Sequence, residues 1–282
     1  MLSPELVEVL NKVDKLETAS GESEETRVDP DPIELSKSLY KSLLELKAQF
    51  LSEDGTSTNY SGFRESSSYA NFQLDCRKLC HVDLSKLNND DKRKAFFLNI
   101  YNVLTMHALA NKVTSEKTVL ELEKFWQMYG YRIGTHIFSL DDIEHGILRC
   151  NKLHPTHKDY FFKQGDPRRE LVLPELDPRI HFALNCGAKS CPPIRLFSPD
   201  NLHNGLELAA KSFCQGEVII NEQEKCVTLS KIFLWYGSDF ACDEKSIVYK
   251  VTEWLSPEQK RQVENLSADF SVKFADYDWA IH

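Results

Sequence analysis

The sequence of 282 residues predicts an α+β fold, and three observations support that prediction. Apolar residues recur at helical spacing over Pro32–Leu51 and again over Arg93–Asn111. Polar and apolar residues alternate over Gly130–Phe138, as they do in a half-buried strand. Helical segments precede and interleave with a few short strands, so we expect a helical N-terminal part packed on a small, mainly antiparallel sheet.

The N-terminal part is predicted to be a helical extension. Pro4–Leu16 has the pattern of a short amphipathic helix, and Pro32–Leu51 that of a longer one. The segment between them, Ser20–Pro32, is acidic and contains prolines, which indicates a linker. We therefore expect two parts, an extension over residues 1–61 and an α+β domain over residues 62–282.

The predicted elements of the second part follow from caps and periodicity. Ser139 and Asp142 have the spacing of a capping box at a helix start. Helices are predicted over Ser66–Leu79, from Asp90 or Asp91 to Asn111, and over Ser115–Tyr129, Ser139–Arg149, a segment that begins at Ser198, and Lys245–Leu255. Strands are predicted over Gly130–Phe138, Arg179–Asn185, the hairpin Glu217–Leu229 and Val272–Phe274.

Composition and charge exclude several classes of protein. With 41% hydrophobic residues the chain can bury a sizeable core, which excludes global disorder. The formal net charge of −9 argues against binding to nucleic acid or to an anionic membrane. The longest uncharged run, Ala95–Asn111, is too polar for a membrane span, and the first residues do not resemble a signal peptide. We expect a soluble, cytoplasmic protein.

The eight cysteines are scattered, and in a reducing compartment most of them are expected to fill the core. Cys186 and Cys191 have four residues between them, but no second close pair completes a zinc pattern. We therefore expect neither a metal nor another cofactor.

The segment Asp177–Arg195 is the most informative for chemistry. If it begins as a strand, His181 and Asn185 share one face, and Cys186 lies on the other, towards the core. The chain then turns at Gly187 and reaches Cys191 just before two prolines. A cysteine on such a turn is a candidate nucleophile, because free backbone N–H groups favour a thiolate and can bind an oxyanion. The alternative is a structural turn with two inert thiols.

Two helices carry further candidates. The helix Ser139–Arg149 bears Glu144, His145 and Arg149, which form either a surface face or a half-buried site with His145 as a base. The helix from Arg93 places Asn99 and Asn102 on one face. These two amides either clamp a neighbouring loop or line a pocket floor, because a buried amide must find hydrogen-bond partners.

Five segments together resemble the domain-of-unknown-function 547 family over roughly residues 62–282. They are Ala95–Asn102, Ser139–Arg149, His181–Pro193, Trp235-Tyr236 with Asp239-Phe240, and Tyr277-Asp278-Trp279. The family's activity is not settled, so the resemblance implies one constellation of residues without naming a reaction. Because members sometimes lie beside glutaredoxin-like or DEP domains, it also implies that such a domain can belong to a longer, multidomain chain.

The order of helix and strands is compatible with a papain-like or transglutaminase-like fold. In those folds the nucleophilic cysteine opens the central helix and the histidine follows on a strand. Here the helix at Arg93 has no cysteine, and His181 precedes Cys191. A papain-like mechanism would therefore need a permuted order or another nucleophile.

The first functional hypothesis is a thiol-dependent hydrolase or acyl transferase that acts on an amide or peptide-type bond. Cys191 would be the nucleophile, His181 or His145 the base, and Glu144 or Asn185 the group that orients the imidazole. The substrate, a protein or peptide, would contact Asn99, Asn102, Cys186, Arg149, Trp235 and Tyr236. A second hypothesis is a non-catalytic binding or regulatory module, and a third is a redox-linked pair formed by Cys186 and Cys191.

Overall fold

The structure is a computed structural model that describes residues 7–12, 29–53, 55, 57–153, 159–266 and 269–281. It confirms the α+β class. The α-helices are α1 Pro32–Phe50, α2 Tyr60–Glu65, α3 Ser67–Arg77, α4 Asp90–Lys112, α5 Phe125–Met128, α6 Leu202–Glu217, α7 Lys231–Trp235, α8 Gly237–Phe240, α9 Glu244–Val251 and α10 Pro257–Asn265. The strands are β1 Glu8–Val9, β2 Tyr129–Ile133, β3 His136–Ser139, β4 Ile219–Asn221, β5 Cys226–Leu229 and β6 Ser271–Phe274.

Helix α4 is the centre of the larger core. The side chain of Asn89 caps it by accepting a hydrogen bond from the N–H of Lys92. Every residue from 94 to 110 is buried, which explains why this helix is apolar around most of its circumference. Helix α1 packs against it through Leu39, Leu43 and other residues of one apolar stripe. The boundary predicted at residue 61 stays a prediction, but α1 shares its buried face with α4.

The first sheet has the order β1-β2-β3, with β1 parallel and β3 antiparallel to β2. The hairpin β2–β3 lies where Gly130–Phe138 predicted a single strand, and Gly134 turns it with a φ of +55°. The structure corrects the helix predicted over Pro4–Leu16, because Glu8–Val9 is a strand; residues 4–6 and 13–16 lie outside the described residues. Asn11 fixes this strand: its side chain donates to the carbonyl of Arg132 and accepts from the N–H of the same residue.

The second sheet has the order β4-β5-β6. The hairpin predicted over Glu217–Leu229 is confirmed as the antiparallel pair β4–β5, and β6 pairs with β5 in parallel. Both sheets are therefore mixed, and the expected single, mainly antiparallel sheet is replaced by two small ones. A second core lies under this sheet and is rich in aromatic residues.

Three predicted helices differ from the structure. Ser115–Tyr129 contains only a short turn at Val119–Glu121 and the single turn of α5. The helix expected from Ser198 begins at Leu202, because the N–H of Ser198 donates to Asn201 and this turn precedes the helix. The helix after Ser139 is a π-helix, Asp142–Leu148. Its capping box is confirmed, since the N–H of Ser139 donates to Asp142 and the N–H of Asp142 donates to the Ser139 hydroxyl.

The strand predicted over Arg179–Asn185 is wrong. The segment is a 3₁₀ helix, Pro178–Phe182, which Asp177 caps by accepting from the N–H of Arg179. Ile180, His181 and Phe182 are all buried, so neighbouring side chains do not alternate between two faces. The expectation that Cys186 lies opposite His181 fails for the same reason.

Residues 277–281, here called the strap, cross the molecule between two other segments. On one side the N–H of Val119 donates to the Trp279 carbonyl. On the other side the N–H groups of Lys189 and Ser190 donate to the carbonyls of Ala280 and Asp278. The strap therefore holds the loop that carries Cys186 and Cys191. Among the helices of the described residues, none has the length and apolar character needed to cross a membrane.

Candidate functional site

A cavity of about 420 Å³ opens beside this loop. The π-helix, the 3₁₀ helix that holds His181, α5, α7 and the strap all contribute to its wall. Its lining residues are Tyr101, Trp126, Gln127, Asp141, Glu144, His145, His181, Leu184, Cys186, Cys191, Pro192, Ile232, Trp235, Tyr236, Tyr277 and Trp279. Its volume falls in the range of small-molecule sites.

The loop that carries the two thiols, residues 185–192, is fixed by two asparagines. Asn102 on α4 donates to the carbonyl of Ala183 and accepts from the N–H of Asn185. The Asn185 side chain spans the loop, because it donates to the Pro192 carbonyl and accepts from the N–H of Gly187. Gly187 has a φ of +96°, a conformation that side-chain-bearing residues rarely adopt. The loop is therefore tightly specified from within.

The two thiols of this loop face each other at the cavity wall. The sulfur atoms of Cys186 and Cys191 lie 2.8 Å apart, and the N–H of Cys186 donates to the Cys191 sulfur at 3.2 Å. The Tyr277 hydroxyl of the strap lies 3.3 Å from the Cys191 sulfur and 3.7 Å from that of Cys186. Cys186 thus lines the cavity beside Cys191, whereas the sequence predicted it on the core side.

These contacts shift the pKa values of the two thiols in opposite directions. Burial opposes ionisation of Cys191, but hydrogen bonds from Cys186, Tyr277 and the backbone outweigh it and lower the pKa of the Cys191 thiol. The hydrogen bond to Cys191 and burial raise the pKa of Cys186. Cys191 is therefore the more readily ionised of the two thiols, and the Cys186 thiol is placed to hydrogen-bond its sulfur.

Four of the five backbone N–H groups from Cys186 to Ser190, where the oxyanion site was predicted, have partners within the protein. The N–H groups of Cys186 and Gly187 donate to the Cys191 sulfur and to Asn185. Those of Lys189 and Ser190 donate to the strap. All four are already engaged inside the protein, so none is free to stabilise an oxyanion.

Glu144 is held by two tyrosines. Its carboxylate oxygens accept hydrogen bonds from the Tyr101 hydroxyl at 2.9 Å and the Tyr236 hydroxyl at 2.8 Å. Burial, together with the Glu144 charge, raises the pKa of both tyrosines, so they remain neutral donors. These two hydrogen bonds fix the position of the Glu144 carboxyl group in the cavity wall.

Asp141 and His145 lie next to Glu144. The Nε2 atom of His145 is 3.9 Å from Asp141 Oδ1, and its Nδ1 atom is 3.0 Å from a guanidinium nitrogen of Arg149. Because the guanidinium has only donors, Nδ1 accepts and the imidazole proton resides on Nε2. Burial, with repulsion from Glu144 and Asp142, raises the pKa of Asp141 to about 7. Asp141 is therefore a carboxyl group that can exchange a proton near neutral pH.

His181 is anchored by a buried ion pair. Its Nε2 atom lies 2.9 Å from Asp239 Oδ2, and Arg149 contacts the same carboxylate through Nε at 2.7 Å and Nη2 at 3.0 Å. The Arg149 and Asp239 side chains are both 0% exposed. Although burial alone would raise the pKa of Asp239, hydrogen bonds from His181 and Arg149 hold it well below its usual range. The imidazole also stacks on the Tyr236 ring, with 4.2 Å between centroids.

The structure brings seven of the predicted site residues to the cavity and leaves four behind its wall. Those at the cavity are Cys186, Cys191, His181, Glu144, His145, Trp235 and Tyr236. Of the other four, Arg149 hydrogen-bonds His145 and Asp239, and the Asn185 side chain spans the thiol loop. Asn102 clamps the thiol loop, and Asn99 clamps Phe197 by donating to its carbonyl and accepting from its N–H. For both asparagines the clamp, rather than the pocket floor, is what the structure shows.

Two residues that sequence reasoning did not assign to the site are central to its geometry. Asp239, rather than Glu144 or Asn185, orients the His181 imidazole, and Tyr277 contacts both thiols. Both belong to short segments that carried the family resemblance. The cavity-lining residue Asp141 also belongs to such a segment, Ser139–Arg149, whereas for Trp126 the sequence offered no comparable signal.

The sequence predicted His181 or His145 as the base for Cys191, and that role stays a prediction. Within the described part of the chain, no hydrogen bond joins Cys191 to His181 or His145. The hydrogen-bond partners of its sulfur are Cys186 and Tyr277. Over the same residues, no group of three or more His, Cys, Asp or Glu side chains is placed to hold a metal ion.

Fold and site together define an α+β protein with a thiol pair at the wall of an aromatic, acidic cavity. Residues 84–214 match the family described as "Protein of unknown function, DUF547", so the chain contains a DUF547 family domain. The matched range holds the π-helix and the thiol loop but ends before Asp239 and the strap. Neither a curated protein nor a solved structure matches the chain.

Proposed function

We propose that the protein is a thiol-dependent enzyme in which Cys186 and Cys191 act as a redox-linked pair, with Cys191 as the nucleophile. The observation that supports this function is the contact between the sulfurs, 2.8 Å, together with the hydrogen bonds that stabilise the Cys191 thiolate. Thiolates are the reactive form in thiol–disulfide exchange. A second thiol within reach is what resolves a mixed disulfide.

The reaction would proceed in two exchanges. The Cys191 thiolate attacks one sulfur of a substrate disulfide, the substrate S–S bond breaks, and the leaving thiolate takes up a proton. The Cys186 thiol loses its proton and attacks Cys191, which releases the second substrate thiol and forms the Cys186–Cys191 disulfide. Two electrons pass from the pair to the substrate; one of the two protons comes from Cys186 and the other from solvent, and an external thiol reductant of the glutathione type restores the pair.

The second candidate is the hydrolase or acyl transferase predicted from the sequence. It is favoured by Asp141, His145 and His181 at the cavity, since a thiol–disulfide exchanger needs no such proton-transfer groups. Cys191 would attack the carbonyl carbon of an amide, the C–N bond would break with protonation of the leaving amine, and water or an amine would release the thioester. This candidate would need an imidazole that is hydrogen-bonded to Cys191 and free backbone amides that bind the oxyanion. On these two points it has no support. The papain-like or transglutaminase-like arrangement remains a prediction.

Mass spectrometry after equilibration in glutathione buffers of graded redox potential tests the first candidate. We expect an internal disulfide of Cys186 and Cys191, seen as a loss of two hydrogens in the peptide that contains both. Cys186→Ser should accumulate a glutathione adduct on Cys191, and Cys191→Ser should not form one on Cys186. Cys242→Ser, which changes an exposed thiol, is the matched control and should leave the pattern intact.

The outcome also distinguishes the alternatives. Adducts on Cys242 alone, with Cys186 and Cys191 unmodified, would contradict thiol chemistry at this site and favour the binding module. Formation of a thioester on Cys191 after incubation with an activated acyl ester, without the internal disulfide in the redox series, would favour acyl transfer.

A further inference from the structure

The charges at the cavity are unbalanced. Asp141 and Glu144 line it, and among its lining residues in the described chain there is no lysine or arginine. The two hydrogen-bond donors to Glu144 are neutral tyrosine hydroxyls. Arg149, whose guanidinium lies over the Tyr236 ring, is occupied by both oxygens of Asp239. Within the described residues neither carboxyl forms an ion pair with a lysine or an arginine; the imidazole of His145 lies 3.9 Å from Asp141 and 4.0 Å from Glu144.

Aromatic rings form the wall near the strap. Trp279 lies 5.9 Å from Trp126, 5.4 Å from Trp235 and 4.7 Å from Tyr277, measured between ring centroids. The π-face of an aromatic ring attracts a cation, and tryptophan does so most strongly. The rings also supply apolar surface for an alkyl chain. An acidic pair and an aromatic wall in one cavity therefore favour the same class of ligand.

We propose that the cavity binds its substrate through a protonated alkylamine, with the ammonium group at Asp141 and Glu144 and the alkyl chain against the aromatic wall. This inference rests on the proposed function in one respect, that the cavity holds the substrate beside Cys191. Two sources carry this chemistry, the lysine side chain of a peptide and a free diamine.

The position of Glu144 relative to the thiols supports this placement. Cys186 contributes, after burial and the Glu144 charge, to the raised pKa of both Tyr101 and Tyr236, the two donors to Glu144. Cys186, Cys191, Glu144 and these two tyrosines all line the same cavity. An amine bound at Glu144 would hold the remainder of the ligand next to Cys191.

Repulsion within the acidic pair supports the same class of ligand. Asp141 is destabilised as a carboxylate by burial and, next, by the Glu144 charge. A bound ammonium group would offset that repulsion by hydrogen-bonding both carboxylates, and charge-assisted hydrogen bonds are stronger than neutral ones.

Isothermal titration calorimetry on the full-length Cys191→Ala variant tests the proposal without interference from thiol reactions. The probes are Nα-acetyl-lysine N-methylamide, 1,5-diaminopentane and the neutral analogue Nα-acetyl-norleucine N-methylamide. We expect at least one of the two amines to bind at least tenfold more tightly than the norleucine compound, a difference of about 1.4 kcal/mol. Tighter binding of the lysine compound would indicate a peptide, and tighter binding of the diamine a free amine.

Carboxyl variants in the same background locate the contact. Glu144→Gln and Asp141→Asn should each weaken amine binding about tenfold, while Glu264→Gln, on the exposed face of α10, should not change it. If Glu144→Gln fails to fold by circular dichroism, Asp141→Asn carries the test. Equal binding of the lysine and norleucine compounds, or amine binding that neither carboxyl variant alters, would overturn the proposal. Since the glutathione experiment uses no amine, its failure and the failure of this one are distinguishable.

Discussion

The imidazole of His181 and the carboxylate of Asp239 lie 2.9 Å apart, although 58 residues separate them in the chain. The contact joins the 3₁₀ helix before the thiol loop to α8. Arg149, from the end of the π-helix, completes the junction. Three separate segments thus depend on one buried carboxylate.

Asp239→Ala is expected to lower the free energy of unfolding by about 3–5 kcal/mol, because it leaves the buried Arg149 charge without its partner. Urea denaturation followed by fluorescence measures the change. Asp276→Ala, which removes an exposed carboxylate paired with Lys231, is the matched control and should cost less than about 1 kcal/mol. Similar losses for both variants would show that the Asp239 junction is not a structural centre.

Stability should decrease with rising pH through Asp141. Its pKa is about 7 in the folded protein and 3.8 as a free side chain, so between these values the folded state holds a proton that the unfolded state lacks. The free energy of unfolding therefore falls as the pH rises from about 4 to 7, by about 4 kcal/mol for this group at 1.4 kcal/mol per pKa unit. Asp141→Asn should remove that slope and gain stability relative to the wild type at pH 8. Urea curves at pH 5 and pH 8 that shift equally in both proteins would contradict this.

Tyr277→Phe should raise the pH at which Cys191 is half alkylated. The substitution removes one hydroxyl donor to the thiolate, and a hydrogen bond to a charged group contributes about 1.5–3 kcal/mol, which corresponds to roughly 1–2 pKa units. Iodoacetamide labelling rates between pH 5 and pH 10, mapped by mass spectrometry, give the midpoint. Tyr249→Phe, at an exposed position on α9, serves as the control. An unchanged midpoint would mean that the strap does not tune this thiol.

Gly146→Ala should destabilise the protein by about 1–3 kcal/mol, because the added methyl group would meet the Phe162 ring at 2.6 Å inside the core. Gly216→Ala in α6 is the matched control: no atom lies within 4 Å of its new methyl group, and alanine favours a helix by about 1 kcal/mol. Thermal unfolding should therefore move in opposite directions for the two variants. A loss of stability in both would point to a general intolerance of substitution.

Elements that depend on local sequence could be predicted. The stripe of α1, the continuous apolar run of α4 and the capping box at Ser139 are set by residues within a few positions of one another. The hairpin β4–β5 follows from the same kind of signal. Their physical causes, capping and amphipathic burial, act over one or two turns of chain.

The geometry of the thiol loop could not be predicted from such local signals. Alternation predicted a strand through His181, but Pro178 and the Asp177 cap start a 3₁₀ helix, and three consecutive residues are then buried by different neighbours. The face of Cys186 could not be assigned once the strand was absent. Cys186 contacts Tyr277, which lies 91 residues further along the chain, and a local sequence pattern cannot predict a contact between such distant positions.

The strap implies an order of events during synthesis. Tyr277 follows Cys186 by 91 residues, so a ribosome that adds about 5–20 residues per second completes the strap roughly 5–20 s after the thiol loop. During that interval the nascent chain carries both thiols without the Tyr277 hydroxyl that contacts them or the Trp279 ring of the cavity wall. Whatever modifies Cys186 or Cys191 before the strap is synthesised therefore meets a more open loop than a reagent added to the folded protein.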